Sequence, residues 1–172
     1  MVPERSGVGT RVTRVVCGKS WARLAGAEGG ANFWRMETGA PEAAAVARAS
    51  YARCVGAPDF IGAFYDRLFE LCPEAKPRFA ETNFERQNKL LRHAFGLLLS
   101  FPTEPTGEPT ILSRIAEQHS RRVLGIDPSL YPPFLESLID TVKRYDPMFT
   151  PEVERAWRTT LEVGVAYMLS RY

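Results

Sequence analysis

The chain is poor in the residues that build most metal and redox sites. Its 172 residues hold two histidines, His93 and His119, which excludes a site made of several imidazoles. Three cysteines, Cys17, Cys54 and Cys72, are odd in number and lack metal-ligand spacing. They read as reduced thiols, and a cytoplasmic location is expected. Nothing resembles the apolar core of a secretory signal. No uncharged apolar run approaches the ~20 residues of a membrane helix, so a membrane partner is excluded. The net charge is only +2, too small to argue for nucleic acid. Strand alternation is missing too, a few residues near Val12–Val16 apart. What remains is 45% hydrophobic and 24% charged, the balance of a globular domain with a real core.

The chain divides in two. Residues 1–35 carry six basic residues against two acidic ones, together with six glycines, and follow no sustained period. We expect an N-terminal extension over 1–40 and one domain over 41–172. Three readings of the extension stay open: a disordered tail, a stretch upstream of a true start at Met36, or an organelle-targeting segment. Trp21 and Trp34 are its natural anchors if it packs on the domain.

From Pro41 onward the pattern is helical and punctuated by proline. Helices are expected over Ala43–Val55, Phe60–Leu71 with Asp59 as cap, and a short turn through Phe79 between Pro73 and Pro77. A long helix follows from Phe84 to about Ser100, capped by Thr82 or Asn83. Thr110 caps the next, over Ile111–His119. Another runs from Ser129 or Pro132 to Tyr145, and a last one opens at Thr150-Pro151. The class is all-α, with helices too unequal for a symmetric bundle.

Ile111, Ile115 and His119 step by four and so share one helical face. A histidine there is either a neutral core residue hydrogen-bonded to a carbonyl or a single axial ligand to a buried haem. On the long helix, Gln87 and Leu91 lie ~40° apart, an amide beside an apolar group. His93 lies ~240° from Gln87 and points elsewhere, as a surface or inter-helix residue.

The stretch "FYDRLFELCPEAKPRFAETNFERQNKLL", with "IAEQHSRRVLGIDPSLY" and "AWRTTLEVGVAYML", resembles a globin. The likeness is greatest to the globin domain of bacterial flavohaemoglobins and single-domain bacterial haemoglobins, and it spans Glu42–Tyr172. It implies a three-over-three helical sandwich of about seven helices that binds haem b. It makes His119 the iron ligand, Phe79 a residue packed on the haem, and Tyr65, Gln87 and Leu91 the distal pocket. Tyr131 becomes a neighbour of His119, or else a surface tyrosine at a helix start. Trp157 matches the family's "AW". Three features depart from the pattern. Counting from Trp157 places Tyr172 where such domains carry a glutamate, the spacing from His119 to Tyr131 is slightly longer than usual, and no flavin or nicotinamide domain is expected after Tyr172.

The resemblance therefore implies dioxygen as ligand, with nitric oxide and carbon monoxide as further ones. Two donors aimed at one bound gas favour strong retention over ready release. The expected function is ligand capture, sensing, or nitric oxide detoxification served by an external reductase, with enzymatic turnover left open. The alternative is a haem-free globin-fold interaction or sensor module.

Overall fold

The computed structural model describes residues 39–103 and 110–172. The expectations for the N-terminal extension, for Val12–Val16 and for Cys17 lie outside these residues. The described residues form α1 (Ala40–Cys54), α2 (Phe60–Leu71), a 3-10 segment (Pro73–Phe79) and α3 (Phe84–Ser100). A 3-10 turn (Phe101–Thr103), α4 (Thr110–His119) and a second such turn (Pro128–Leu130) follow, then α5 (Tyr131–Tyr145) and α6 (Pro151–Leu169). No strand occurs among them, and no helix among them is long and apolar enough to cross a membrane.

Local chemistry sets most helix ends. The Asn83 side chain accepts from the Arg86 amide at 3.0 Å and starts α3, and Thr150 accepts from the Val153 amide at 3.2 Å to start α6. Pro151 then occupies the first turn, where its missing N–H costs nothing. The same tolerance lets α1 begin at Ala40, three residues before the expected Ala43, because Pro41 fits the first turn and Gly39 takes a φ of 63°. Asp59 does not cap α2 with its side chain. Its carboxylate accepts instead from the Tyr145 hydroxyl at 2.6 Å, tying the start of α2 to the end of α5. Thr110 lies inside α4 rather than before it.

The helices stack three over three, as expected. α1, α3 and α4 lie over α2, α5 and α6, with α1 against α6 and α2 against α5 as the closest pairs. Phe60, Phe64, Phe95, Phe101 and Trp157 are fully buried between the layers. Phe64 meets Phe95 and Phe134 edge-on at centroid distances of 5.5 and 5.2 Å, the geometry that ring quadrupoles favour. A Cβ on Gly164 would stand 2.7 Å from the Leu98 side chain, so a glycine lets α3 close on α6.

The corner between α5 and α6 is held by a buried acid. Asp146 accepts from Ser50 Oγ at 2.5 Å, from Arg53 Nε and Nη2 at 2.6 and 2.7 Å, and from the Met148 amide at 2.9 Å. Ser50 Oγ in turn accepts from Trp157 Nε1 at 3.0 Å. Burial opposes the charge on Asp146. The bonds from Arg53, Ser50 and Met148 outweigh that penalty and hold the carboxyl below its ordinary range. A depressed acid stabilises the fold above its unfolded pKa and loses that contribution as pH falls through the folded value. Asp146→Ala should therefore lower the unfolding free energy at pH 7 by about 3 kcal/mol, the cost of breaking a buried pair with one partner partly exposed. Denaturant titration should show the gap to the parent protein shrinking below about pH 4, where the unfolded acid is protonated.

Candidate functional site

The second helix and the end of the 3-10 segment bring aromatic rings together beneath the start of α3. Tyr65 is 4% exposed, and its ring meets Phe79 at 5.4 Å and Phe84 at 5.3 Å. Phe69 joins the group through Phe79 at 5.4 Å. The apolar stripe Phe60, Phe64, Leu68 turns α2 toward the core, and Tyr65 follows Phe64 onto that buried side. Burial pushes the Tyr65 phenol above its ordinary pKa, and a hydrogen bond with the Gln87 side chain pulls the other way. Tyr65 is thus a neutral phenol, buried beside the Gln87 amide.

Phe79, Tyr65 and Gln87 are therefore brought together. Leu91, one turn beyond Gln87 on α3, packs half-buried against the core, as do Ile115, Leu130 and Phe134 from the following elements. Phe79, Leu91, Ile115 and Phe134 are thus apolar side chains that the core covers only in part. His93 is exposed, in keeping with its angular position.

His119 ends α4, and its Nδ1 lies 2.8 Å from the Ile115 carbonyl. A carbonyl only accepts, so Nδ1 carries the proton and Nε2 keeps its lone pair. The shared apolar face needs a correction. Ile111 is 45% exposed, while Leu112 and Ala116 are buried and Ile115 and His119 flank them. The step of four drifts ~40° per turn, enough to carry Ile111 off the face at the helix start. The described residues hold no group of three or more His, Cys, Asp or Glu able to bind a metal ion. Any metal at His119 would draw its other ligands from a prosthetic group.

Tyr131 is buried, 8% exposed, so the surface alternative for it falls. Burial, with a smaller contribution from the Tyr172 phenol, raises its phenol to about 12. The Arg121 guanidinium lies 4.9 Å from the centre of the Tyr172 ring. Cys54 and Cys72 are buried free thiols, both raised by burial, Cys54 to about 12, and so inert as nucleophiles at neutral pH.

Two residues escaped the sequence reading. Phe84 completes the ring cluster over Tyr65. Asn88 places its Oδ1 in the interior with no hydrogen-bond partner. The signal was available: Asn88 is four residues after Phe84, three before Leu91 and seven before Phe95, squarely on the inner face of α3.

The chain belongs to the globin family, whose model matches residues 62–168. A solved protein from Pseudomonas aeruginosa PAO1, described as structurally highly homologous to a human hemoglobin, is similar to it with a TM-score of 0.71. The two are 30% identical over 76% of this chain and 98% of that one. No curated protein matches.

The raised Tyr131 pKa carries a measurable consequence. A folded-state value above the unfolded ~10 means that stability is complete below pH 10 and falls as pH rises toward about 12. Tyrosinate absorbance during an alkaline titration should show a late step that Tyr131→Phe removes, together with a shallower loss of stability over that window.

Proposed function

We propose that this globin binds haem b through His119 and retains a diatomic gas, dioxygen foremost, beside Tyr65 and Gln87. The observation that carries the reading is the buried, proton-bearing Tyr65 phenol, held by an amide among aromatic rings. A neutral donor enclosed in apolar walls is what a ligand that gains negative charge on binding requires. The lining of Phe79, Leu91, Ile115 and Phe134 suits a flat apolar group, and Nε2 of His119 suits its metal. When bound, haem supplies a ferrous iron that takes diatomic gases reversibly.

The chain's own residues do the rest. His119 gives its Nδ1 proton to the Ile115 carbonyl, which fixes its tautomer and ring direction. Phe79, Phe84 and Leu91 keep water from the pocket. Tyr65 donates its hydroxyl proton to the ligand, and the Gln87 amide beside it serves as the second donor. Each charge-assisted bond contributes about 1.5–3 kcal/mol. Retention of that order supports capture, sensing, or oxidation of nitric oxide to nitrate with an external reductase over bulk transport.

His119→Ala should abolish the Soret band of protein expressed with ample haem, or leave a haem lost on gel filtration. A parental ferrous spectrum in that variant would overturn the assignment of His119. Tyr65→Phe isolates the hydroxyl, because the ring and its packing stay. Stopped-flow should show oxygen release roughly tenfold to a hundredfold faster, since one charge-assisted bond is lost. Carbon monoxide, which gains little charge, should leave at nearly the parental rate. Equal acceleration of both gases would mean an access effect and would sink the donor reading.

A further inference from the structure

The corner between α4 and α5 exposes two neighbouring aliphatic side chains. Val123 and Leu124 are each 53% exposed. The turn that carries them is well fastened. The Leu124 amide donates to the Gln118 carbonyl at 3.1 Å, the Gly125 amide to the Ser120 carbonyl at 2.9 Å, and the Ile126 amide to the His119 carbonyl at 3.1 Å. Gly125, at a φ of 55°, lets the chain close these bonds where a side chain would be strained. One exposed aliphatic residue needs no explanation. Two side by side on a fastened corner, rimmed by charge, mark a contact site.

The rim is cationic. Between Glu117 and Asp127 the chain carries Arg121 and Arg122 and no acid. Both are exposed, and the ion pairs among the described residues use Arg53, Arg67, Lys89 and Arg158 instead. The end of α6 adds Arg171, whose guanidinium lies 5.4 Å from the centre of the Tyr167 ring. The Tyr167 hydroxyl meets Ser113 Oγ at 2.9 Å, next in sequence to the exposed Arg114. Four arginines thus frame this edge against two carboxylates, Glu117 and Asp127, and Asp127 already accepts from the Ser129 amide at 2.8 Å.

An apolar centre in a cationic rim fits a partner that is apolar at its own centre and acidic around it. Its six residues fall far short of the ~20–30 a side of a standard interface and match the scale of a transient redox encounter. The place argues the same way. Even fully extended, the four residues from His119 to Val123 span at most roughly 14 Å. We propose that this corner is the docking surface for an acidic one-electron donor protein, which delivers its electron on the His119 side. This rests on the haem-binding reading above and names the partner that reading leaves open. One electron passes from the donor's reduced iron–sulfur or flavin centre to ferric haem iron, which becomes ferrous. The donor centre is oxidised by one electron, and no bond forms or breaks.

A plant-type iron–sulfur ferredoxin, an acidic protein kept reduced by its own NADPH-dependent reductase, serves as probe. Mixed with the ferric, haem-loaded chain under carbon monoxide, it should give the ferrous carbonyl spectrum at a second-order rate that falls as salt rises. Arg122→Glu should slow that rate about tenfold or more at low ionic strength, with the gap narrowing in high salt. Val123→Ser with Leu124→Ser should slow it as well and keep the parental salt dependence. Photoreduced lumiflavin, neutral and too small to need docking, should reduce every variant at the parental rate. Parental ferredoxin rates in both variants would overturn the proposal. If a variant fails to fold, amide chemical shifts of the unaltered, carbon monoxide-bound protein decide. Changes on adding ferredoxin that centre on the corner and the end of α6 support the docking surface, and changes elsewhere or none defeat it. Sedimentation with phosphatidylglycerol vesicles, lost in Arg122→Glu while ferredoxin rates stay parental, would make the corner a lipid-binding surface and also defeat it. An unaltered chain without a Soret band strikes the haem-binding reading instead. A haem-loaded chain that retains oxygen yet ignores these substitutions strikes the docking surface alone.

Discussion

The fold depends on how one buried carboxylate is satisfied. Asp146 has no exposed side-chain surface, and a bare charge there would be prohibitive. Four donor contacts from three residues remove the problem, and they come from two parts of the chain's path: Ser50 and Arg53 from α1, Met148 from the corner before α6. Ser50 relays the constraint to α6 by accepting from the Trp157 indole. One acid thereby sets the distance between α1 and α6, the closest helix pair of the fold, and the direction in which α6 leaves α5. Hydrophobic packing alone does not specify such a register, because Phe and Leu side chains slide past one another at little cost. A hydrogen-bond network with fixed donor angles does.

The core that this clamp holds is aromatic. The rings of Phe64, Phe95 and Trp157 are fully buried. Phe79, Leu91, Ile115 and Phe134 are only half-buried, so apolar surface remains to be covered there. A protein whose stability rested on those four would gain burial by closing on them, whereas the Asp146 network holds the sandwich without them. The Tyr65 phenol is buried deeply enough to stay protonated.

Much of this was legible in the sequence because proline, asparagine and threonine mark helix ends through backbone chemistry that needs no tertiary information. α2 and α3 begin and end where those signals stand, and Thr150-Pro151 opens α6 as expected. The misreadings share one cause, a long-range partner that outcompetes a local one. Asp59 has the sequence of a cap, but Tyr145, far along the chain, offers its carboxylate a shorter bond. Ile111 has helical spacing to His119, but the core meets α4 along Leu112 and Ala116. Tyr131 reads equally well as surface or interior, and only the packing of the folded chain buries it. The polar candidate Tyr65 came from resemblance, whereas Gln87 already stood out by sharing a helical face with Leu91. Spacing alone makes Asn88 as strong a candidate as Gln87, and only burial without a partner distinguishes it.

The surroundings of His119 bear on what chemistry the pocket suits. An imidazole whose Nδ1 proton goes to a carboxylate is made electron-rich, because the partner draws that proton toward itself. The Nδ1 proton of His119 goes to a neutral carbonyl of its own helix, which orients the ring with a much weaker pull. Tyr131, nearby in sequence, is no relay for negative charge. Burial holds its phenol protonated to about pH 12. A metal held by such an imidazole receives little push toward breaking a bond within its ligand. Under the proposed reading, donors on the Tyr65 side would stabilise charge on an intact ligand, which requires no push at all. The two sides would then be matched: hydrogen bonding toward the ligand and weak electron donation behind the metal, a pairing that favours holding a gas over cleaving it.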